Sequence, residues 1–181
     1  MRRTGVFLVM LFIAPSLLGV VAETPDTIVL DGDMSDWPQD SLHTTDSNAV
    51  TFRMTWDESH LFIGWSGTDW ASESDGADLF IYLNTTEGGT PLSKDWNLAQ
   101  TLPFAADHAY VLEDSAYSSL QMHDGSAWVE NPESATAWVG YSENQNTEVG
   151  IPWSAIGNPE HVGVIVWAQW QDAGNVWTSF P

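Results

Sequence analysis

The chain has no cysteine in its 181 residues, and that removes several possibilities at once. There is no lipobox, no disulfide framework and no thiolate metal site. Basic residues are nearly as scarce: four Lys and Arg face 25 Asp and Glu, a formal charge of −21. Such a surface repels nucleic-acid phosphates and anionic lipid heads, so no nucleic acid partner is expected. It suits salty water, where counterions screen the self-repulsion. Divalent-cation binding, a saline habitat and plain solubility all fit it. Long hydrophobic runs are confined to the start. Arg2 and Arg3 precede an almost wholly apolar stretch from Val6 to Leu18, and Val20-Val21-Ala22 offers small residues for cleavage. This is the layout of a secretory signal peptide over 1–22. The rival is an uncleaved anchor, for which the apolar core is short. The expectation is a secreted, extracellular domain over 23–181, off the membrane once the leader is cleaved. Catalytic signatures are missing as well. No nucleophile motif, phosphate loop or metal-binding histidine cluster is present. A glycosidase needs two carboxylates at a set separation, one with a raised pKa. Among 25 acids some pair always lies close, so proximity in sequence carries no information and no enzyme is expected.

What is present reads as strands. Val50, Phe52, Met54 and Trp56 alternate with Thr51, Arg53 and Thr55, the period of a strand with one apolar face. Asp57-Glu58-Ser59-His60 is a short polar loop, and Leu61 to Ser66 returns as a strand apolar on both faces. Asp78 to Leu83 is strongly β-forming. Asn84-Thr85-Thr86 then closes it and is also a glycosylation acceptor sequence. Residues 91–107 read as an irregular excursion, and residues 40–49 as a polar connection. Ala109 to Leu112 resumes as strand, and Ser119 to His123 with Ala127 to Glu130 forms a hairpin turning at Asp124-Gly125. Ala135 to Tyr141, Thr147 to Ile151, Val162 to Trp170 and Val176 to Phe180 complete the pattern. Trp153 to Gly157 is a single helical turn stopped by glycine. Thr27 to Leu30 reads as a first strand. The prediction is an all-β, antiparallel, jelly-roll-like sandwich of about ten strands with no substantial helix. Because the chain stops directly on a strand, it is expected to be truncated at its C-terminus, with further modules in a longer protein.

Two compositional anomalies bear on function. Asp31, Asp33 and Asp36 bunch in one turn, as oxygen ligands of calcium would. The full EF-hand spacing is absent, and a solvated, self-capping turn is the alternative. No cofactor other than this calcium is expected. The second anomaly is 11 tryptophans. Most must be core, but indoles left exposed make flat platforms for the apolar C–H faces of sugar rings, with carboxylates and amides taking the hydroxyls.

Several stretches carry a family resemblance. They are Ile28-Val29-Leu30-Asp31-Gly32 through Asp36-Trp37, Met54-Thr55-Trp56-Asp57 with Leu61-Phe62-Ile63, Asp78 to Leu83, and Thr147 to Trp153 with Ile156-Gly157. In this order they resemble the family 9 carbohydrate-binding modules and their DOMON-like relatives. The middle part, from Gly88-Gly89-Thr90 to Leu102 through Val111, is similar to the C-terminal binding module of glucodextranase. The resemblance implies a sandwich that binds a glycan or polysaccharide without catalysis, two tryptophans clamping the ring. The positional matches are Trp70 and Trp177, with Asp69, Glu73, Asp75, Gln171 and Asn175 for hydrogen bonds. Trp96 and Trp170 are second candidates, and Arg53 and Lys94 are the available bases. Other branches of the group hold heme b between Met and His or Lys, here among Met54, Met122, His60, His108 and His123. Without a Cys-x-x-Cys-His motif such heme is non-covalent. A structural or adhesive surface domain is the remaining alternative.

Overall fold

The computed structural model describes residues 28–46, 50–68, 70, 76–94, 99–114, 117–141, 144–170 and 174–181. The leader over 1–22 lies outside the described residues, as does Thr27 of the predicted strand 27–30, and Ile28 to Leu30 do not form a strand. The strands are β1 (Leu42–Thr44), β2 (Thr51–Trp56), β3 (His60–Ser66), β4 (Ala77–Asn84), β5 (Thr90–Leu92), β6 (Thr101–Ala106) and β7 (His108–Leu112). They continue with β8 (Ser118–His123), β9 (Trp128–Glu130), β10 (Thr136–Val139), β11 (Asn146–Pro152), β12 (Gly163–Trp170) and β13 (Val176–Phe180). Helix among the described residues is limited to 3-10 turns at Met34–Asp36, Gln39–Ser41 and Trp153–Ile156.

One sheet runs β1-β2-β3-β11-β10 and the other β13-β12-β4-β7-β8-β9. Every pairing is antiparallel. The two sheets face each other as a sandwich, because alternate residues of the central strands are apolar. Phe52, Leu61, Ile63 and Trp65 on one side meet Leu79, Ile81, Leu83, Leu112 and Val166 on the other. The hairpin β2–β3 is where the alternation places it, with Met54 opposite Ile63 and Trp56 opposite Leu61.

Both sheets are also covered on their outer faces. The short sheet β5-β6 lies over the six-stranded sheet and buries Phe80, Tyr82, Val111 and Trp167 under Leu102 and Ala106. This segment was expected to be irregular; Pro91 and Pro103 interrupt its strand pattern, and strands holding proline survive at an edge. Strand β1 is likewise a short edge strand where a polar connection was expected. Ile28 and Trp37 cover Phe62 on the outside of the five-stranded sheet.

That N-terminal cover is tied down by one carboxylate. Glu148 on β11 is 0% exposed and accepts from the Trp37 indole at 2.7 Å and from the backbone N–H groups of Asp31 and Gly32. Asn146 donates to the Gly32 carbonyl at 2.7 Å. Gly32 has φ +87°, and the Trp138 ring occupies the place where its Cβ would stand, so only glycine fits the turn.

Candidate functional site

The Ala77 end of β4 gathers the features a binding surface needs. Strand β12 reaches this end with Gln169 opposite Asp78 and Trp170 opposite Ala77. The chain then turns: the Trp170 N–H donates to Asn175 at 2.9 Å and Gly174 donates back to Trp170 at 2.8 Å. The Gln100 amide, just before β6, donates to the Gly174 carbonyl at 2.7 Å. This closed turn brings β13 alongside and sets Trp177 against Trp170, ring centroids 5.6 Å apart and planes inclined at 42°. Trp170 is 39% exposed, while Trp177 is half-buried and packs on the main core. The result is an indole held in place by a second indole and open to solvent.

Behind it is an acid without a full set of partners. Asp78 is 3% exposed and its Oδ1 has no hydrogen-bond partner among the described residues. Burial, reinforced by the charges of Glu113 and Asp114, pushes its pKa up to about 7. The Trp167 indole N–H in the same outer layer also lacks an acceptor. Close by in sequence, Lys94 has its ammonium pKa lowered by burial and its carbonyl takes the Tyr82 hydroxyl at 2.8 Å.

The sequence candidates are distributed unevenly around this end. Trp70 is corrected: it is 1% exposed, packs 6.5 Å from Trp65 and donates its indole N–H to Thr147 at 3.0 Å. A ring so enclosed has no face for a sugar, because a local hydrogen bond and the core both claim it. Trp177 is at the rim, but its companion is Trp170 rather than Trp70. The clamp itself is therefore not formed by these rings. Two faces gripping a pyranose need contact on each side, about 3.5–4 Å apiece, or roughly 7–8 Å between planes. Trp170 and Trp177 touch each other and make a one-sided platform instead. Asn175 is exposed in the turn beside them. Asp69, Glu73, Asp75, Gln171 and Trp96 lie outside the described residues. Arg53 donates to the Pro38 carbonyl and the Ser41 hydroxyl at 3.2 and 3.3 Å and serves the fold.

The calcium candidates are also placed. Asp31 accepts from the Asp33 N–H at 2.9 Å, Asp33 from Ser35 at 3.0 Å and Asp36 from Val29 at 2.7 Å. Asp31 and Asp33 cap their own turn, Asp36 ties it back to Val29, and among the described residues no group of three or more His, Asp or Glu is placed to hold a metal.

The heme ligands do not assemble either. Met54 packs on the core, and His60 stacks on Phe62 with Nδ1 engaged by Ser59. His108 and Met122 are direct cross-strand partners, which leaves no slot for a macrocycle between them, and His123 packs against Trp128.

Asp78 was missed as a site residue because it reads as the start of a strand. The available signal was its face: it shares the outer side of β4 with Phe80 and Tyr82, where an acid is out of place.

No family model matches the chain, and no curated protein matches it. Among solved structures, a family 9 carbohydrate-binding module from Caldicellulosiruptor kristjanssonii, in complex with cellotriose, is similar at 10% identity and a TM-score of 0.48, with 85% of this chain and 78% of that chain covered. No residue's role is carried across from it.

Proposed function

We propose that this chain is a non-catalytic carbohydrate-binding module of an exported protein, and that it holds a glycan or polysaccharide on Trp170. The observation that carries this is the exposed Trp170 indole, braced by Trp177 and flanked by Asn175 in the turn. Stacking supplies affinity, and the polar groups around the platform supply selectivity among hydroxyl patterns. A clamp encloses a terminal ring, whereas an open platform takes a ring anywhere along a chain. The ligand class that fits best is therefore the interior of a polysaccharide. Export rests on the leader sequence, and the acids Asp69, Glu73 and Asp75 and the amide Gln171 remain part of the proposal through their places in the sequence beside Trp70 and Trp170.

Calorimetry of the mature domain against soluble polysaccharides and their oligosaccharides tests it. Trp170→Ala removes binding while Trp56→Ala, at the opposite end of the sandwich, leaves it intact. Undiminished binding by Trp170→Ala places the sugar elsewhere. Binding to protein surfaces but to no glycan on an array favours the adhesive role instead.

A further inference from the structure

A second concavity lies on the other side of the molecule. It opens between strands β8 and β9, at one edge of the six-stranded sheet, and β10, at the edge of the five-stranded sheet, and has a volume of about 420 Å³. Trp170 and Trp177 belong to β12 and β13, at the opposite edge of the six-stranded sheet.

The lining is rich in acceptors and poor in donors. Tyr110, on β7, is 2% exposed, lines this groove, and its hydroxyl has no well-aligned hydrogen-bond partner among the described residues. Ser118 stands close enough to bias its titration, and burial pushes its pKa up to about 12, so the phenol stays neutral. A buried hydroxyl without a partner is costly, and a ligand that completes it recovers that cost. Glu130 uses one carboxylate oxygen on the Ser119 hydroxyl at 3.2 Å, and Glu133 uses one on Ser154 at 2.9 Å. Their other oxygens have no protein partner among the described residues. The amide donor of Asn131, also in the wall, is spent on the Ala155 carbonyl at 2.8 Å. No Lys or Arg lines the groove.

These features select the ligand. Anions are excluded, since nothing offsets the two carboxylates. A neutral polyol satisfies hydrogen bonds but gains no charge attraction from the two carboxylates, which stand exposed at the mouth. A primary ammonium brings three donors and the missing charge. Leu120, Ala137 and Val139 give its alkyl stem an apolar wall, and Tyr141 gives the cation an aromatic face. We infer that this groove is a second binding site, and that its ligand is a small protonated primary amine with a short aliphatic stem.

The test is calorimetry of the mature domain with n-butylammonium in about 0.5 M salt, where diffuse attraction to an acidic surface is screened. Saturable one-to-one binding is expected, with none for n-butanol, and none for glucose once the sugar platform is removed by Trp170→Ala. Tyr110→Phe keeps both shape and charge and weakens binding at least about threefold. The double change Glu130→Gln with Glu133→Gln weakens it at least about tenfold. Trp170→Ala leaves amine binding unchanged, which separates this site from the sugar platform. Urea midpoints of each variant confirm folding; if Tyr110→Phe is unfolded, the double variant decides. The inference is overturned by absence of amine binding, by equal binding of butanol, by equal binding of glucose to Trp170→Ala, or by full affinity in the folded variants.

Discussion

Strand β4 has a buried carboxylate beside each end, and the two are treated in opposite ways. Beyond the Asn84 end, Asp107 accepts from Thr85 through backbone and hydroxyl at 2.8 and 2.7 Å, and from Thr86 through backbone and hydroxyl at 3.0 and 2.7 Å. Burial alone would raise its pKa; hydrogen bonds from His108, Thr85 and Thr86 overcome that and hold it well below the usual carboxylate range. At the Ala77 end, Asp78 is as deeply buried, has an oxygen with no partner, and is pushed the other way. One end of the strand is finished as structure. The other keeps an unsatisfied carboxylate oxygen on the outer face of the sheet, while Trp170 stands at the same end on the opposite face. An unfinished hydrogen bond on one face and an open indole on the other set this end apart from the fully bonded Asn84 end.

The comparison breaks first at Trp70, which stands at the binding end but belongs to the core. Trp70→Ala removes a fully enclosed indole and the Thr147 hydrogen bond, at a cost of about 3–5 kcal/mol. Urea unfolding measures it. A loss under about 1 kcal/mol would mean that the ring is not packed as described. Asp107→Ala comes next. It strands the donors of Thr85 and Thr86, and the loop after β4 loses its anchor, for about 3 kcal/mol. Because the folded pKa of Asp107 is depressed, its contribution is present above the unfolded value of about 3.9 and disappears as pH falls towards the folded value. The wild type therefore loses stability below about pH 4, and Asp107→Ala loses less of it over the same interval.

Asp78 carries the opposite sign. Its folded pKa is raised to about 7, so the fold prefers the protonated acid. Stability from this group is greatest below the unfolded value and is lost as pH climbs towards 7. Asp78→Asn removes the charge and keeps the shape. It is expected to stabilise the domain by about 1–2 kcal/mol near pH 8 and to have little effect near pH 4.5. Urea midpoints at both pH values check this. Equal effects at the two would show that Asp78 is not titrating in that interval.

The sandwich was legible in the sequence because period-two alternation is a local property. Phe52 and Met54, Leu61 and Ile63, and Asp78 to Leu83 each report their own strand. What covers a face is not local. Glu148 alternates onto the outer side of β11 and reads as solvent-facing, yet Ile28, Trp37 and the Asp31-Gly32 turn bury it. The two tryptophans that trade places are the sharpest case. Trp70 follows Asp69 in a polar break and reads as an exposed loop residue, but Thr147, far along the chain, offers its indole a partner inside. Trp170 ends a long apolar strand and reads only as a second candidate, but the β12 register carries it one step past the buried Gln169 and leaves it exposed. Single residues cannot announce which neighbour will claim them.

The smallest expected effect on stability is also the one that decides function. Trp170 contributes its inner edge to Trp177 and gives its remaining surface to water, so truncation removes little buried area. Trp170→Ala should shift stability by no more than about 0.5 kcal/mol, within the range of surface substitutions. The same change removes the stacking face and should weaken glycan binding by at least about tenfold. Trp177→Ala is the complementary variant: it frees Trp170 to move and also opens the core, so it should cost more stability than Trp170→Ala while weakening binding less. Paired unfolding and calorimetric titrations of the two variants separate these roles. If Trp170→Ala lost stability on the scale expected for Trp70→Ala, both ends of β4 would be finished as structure, and the contrast between them would disappear.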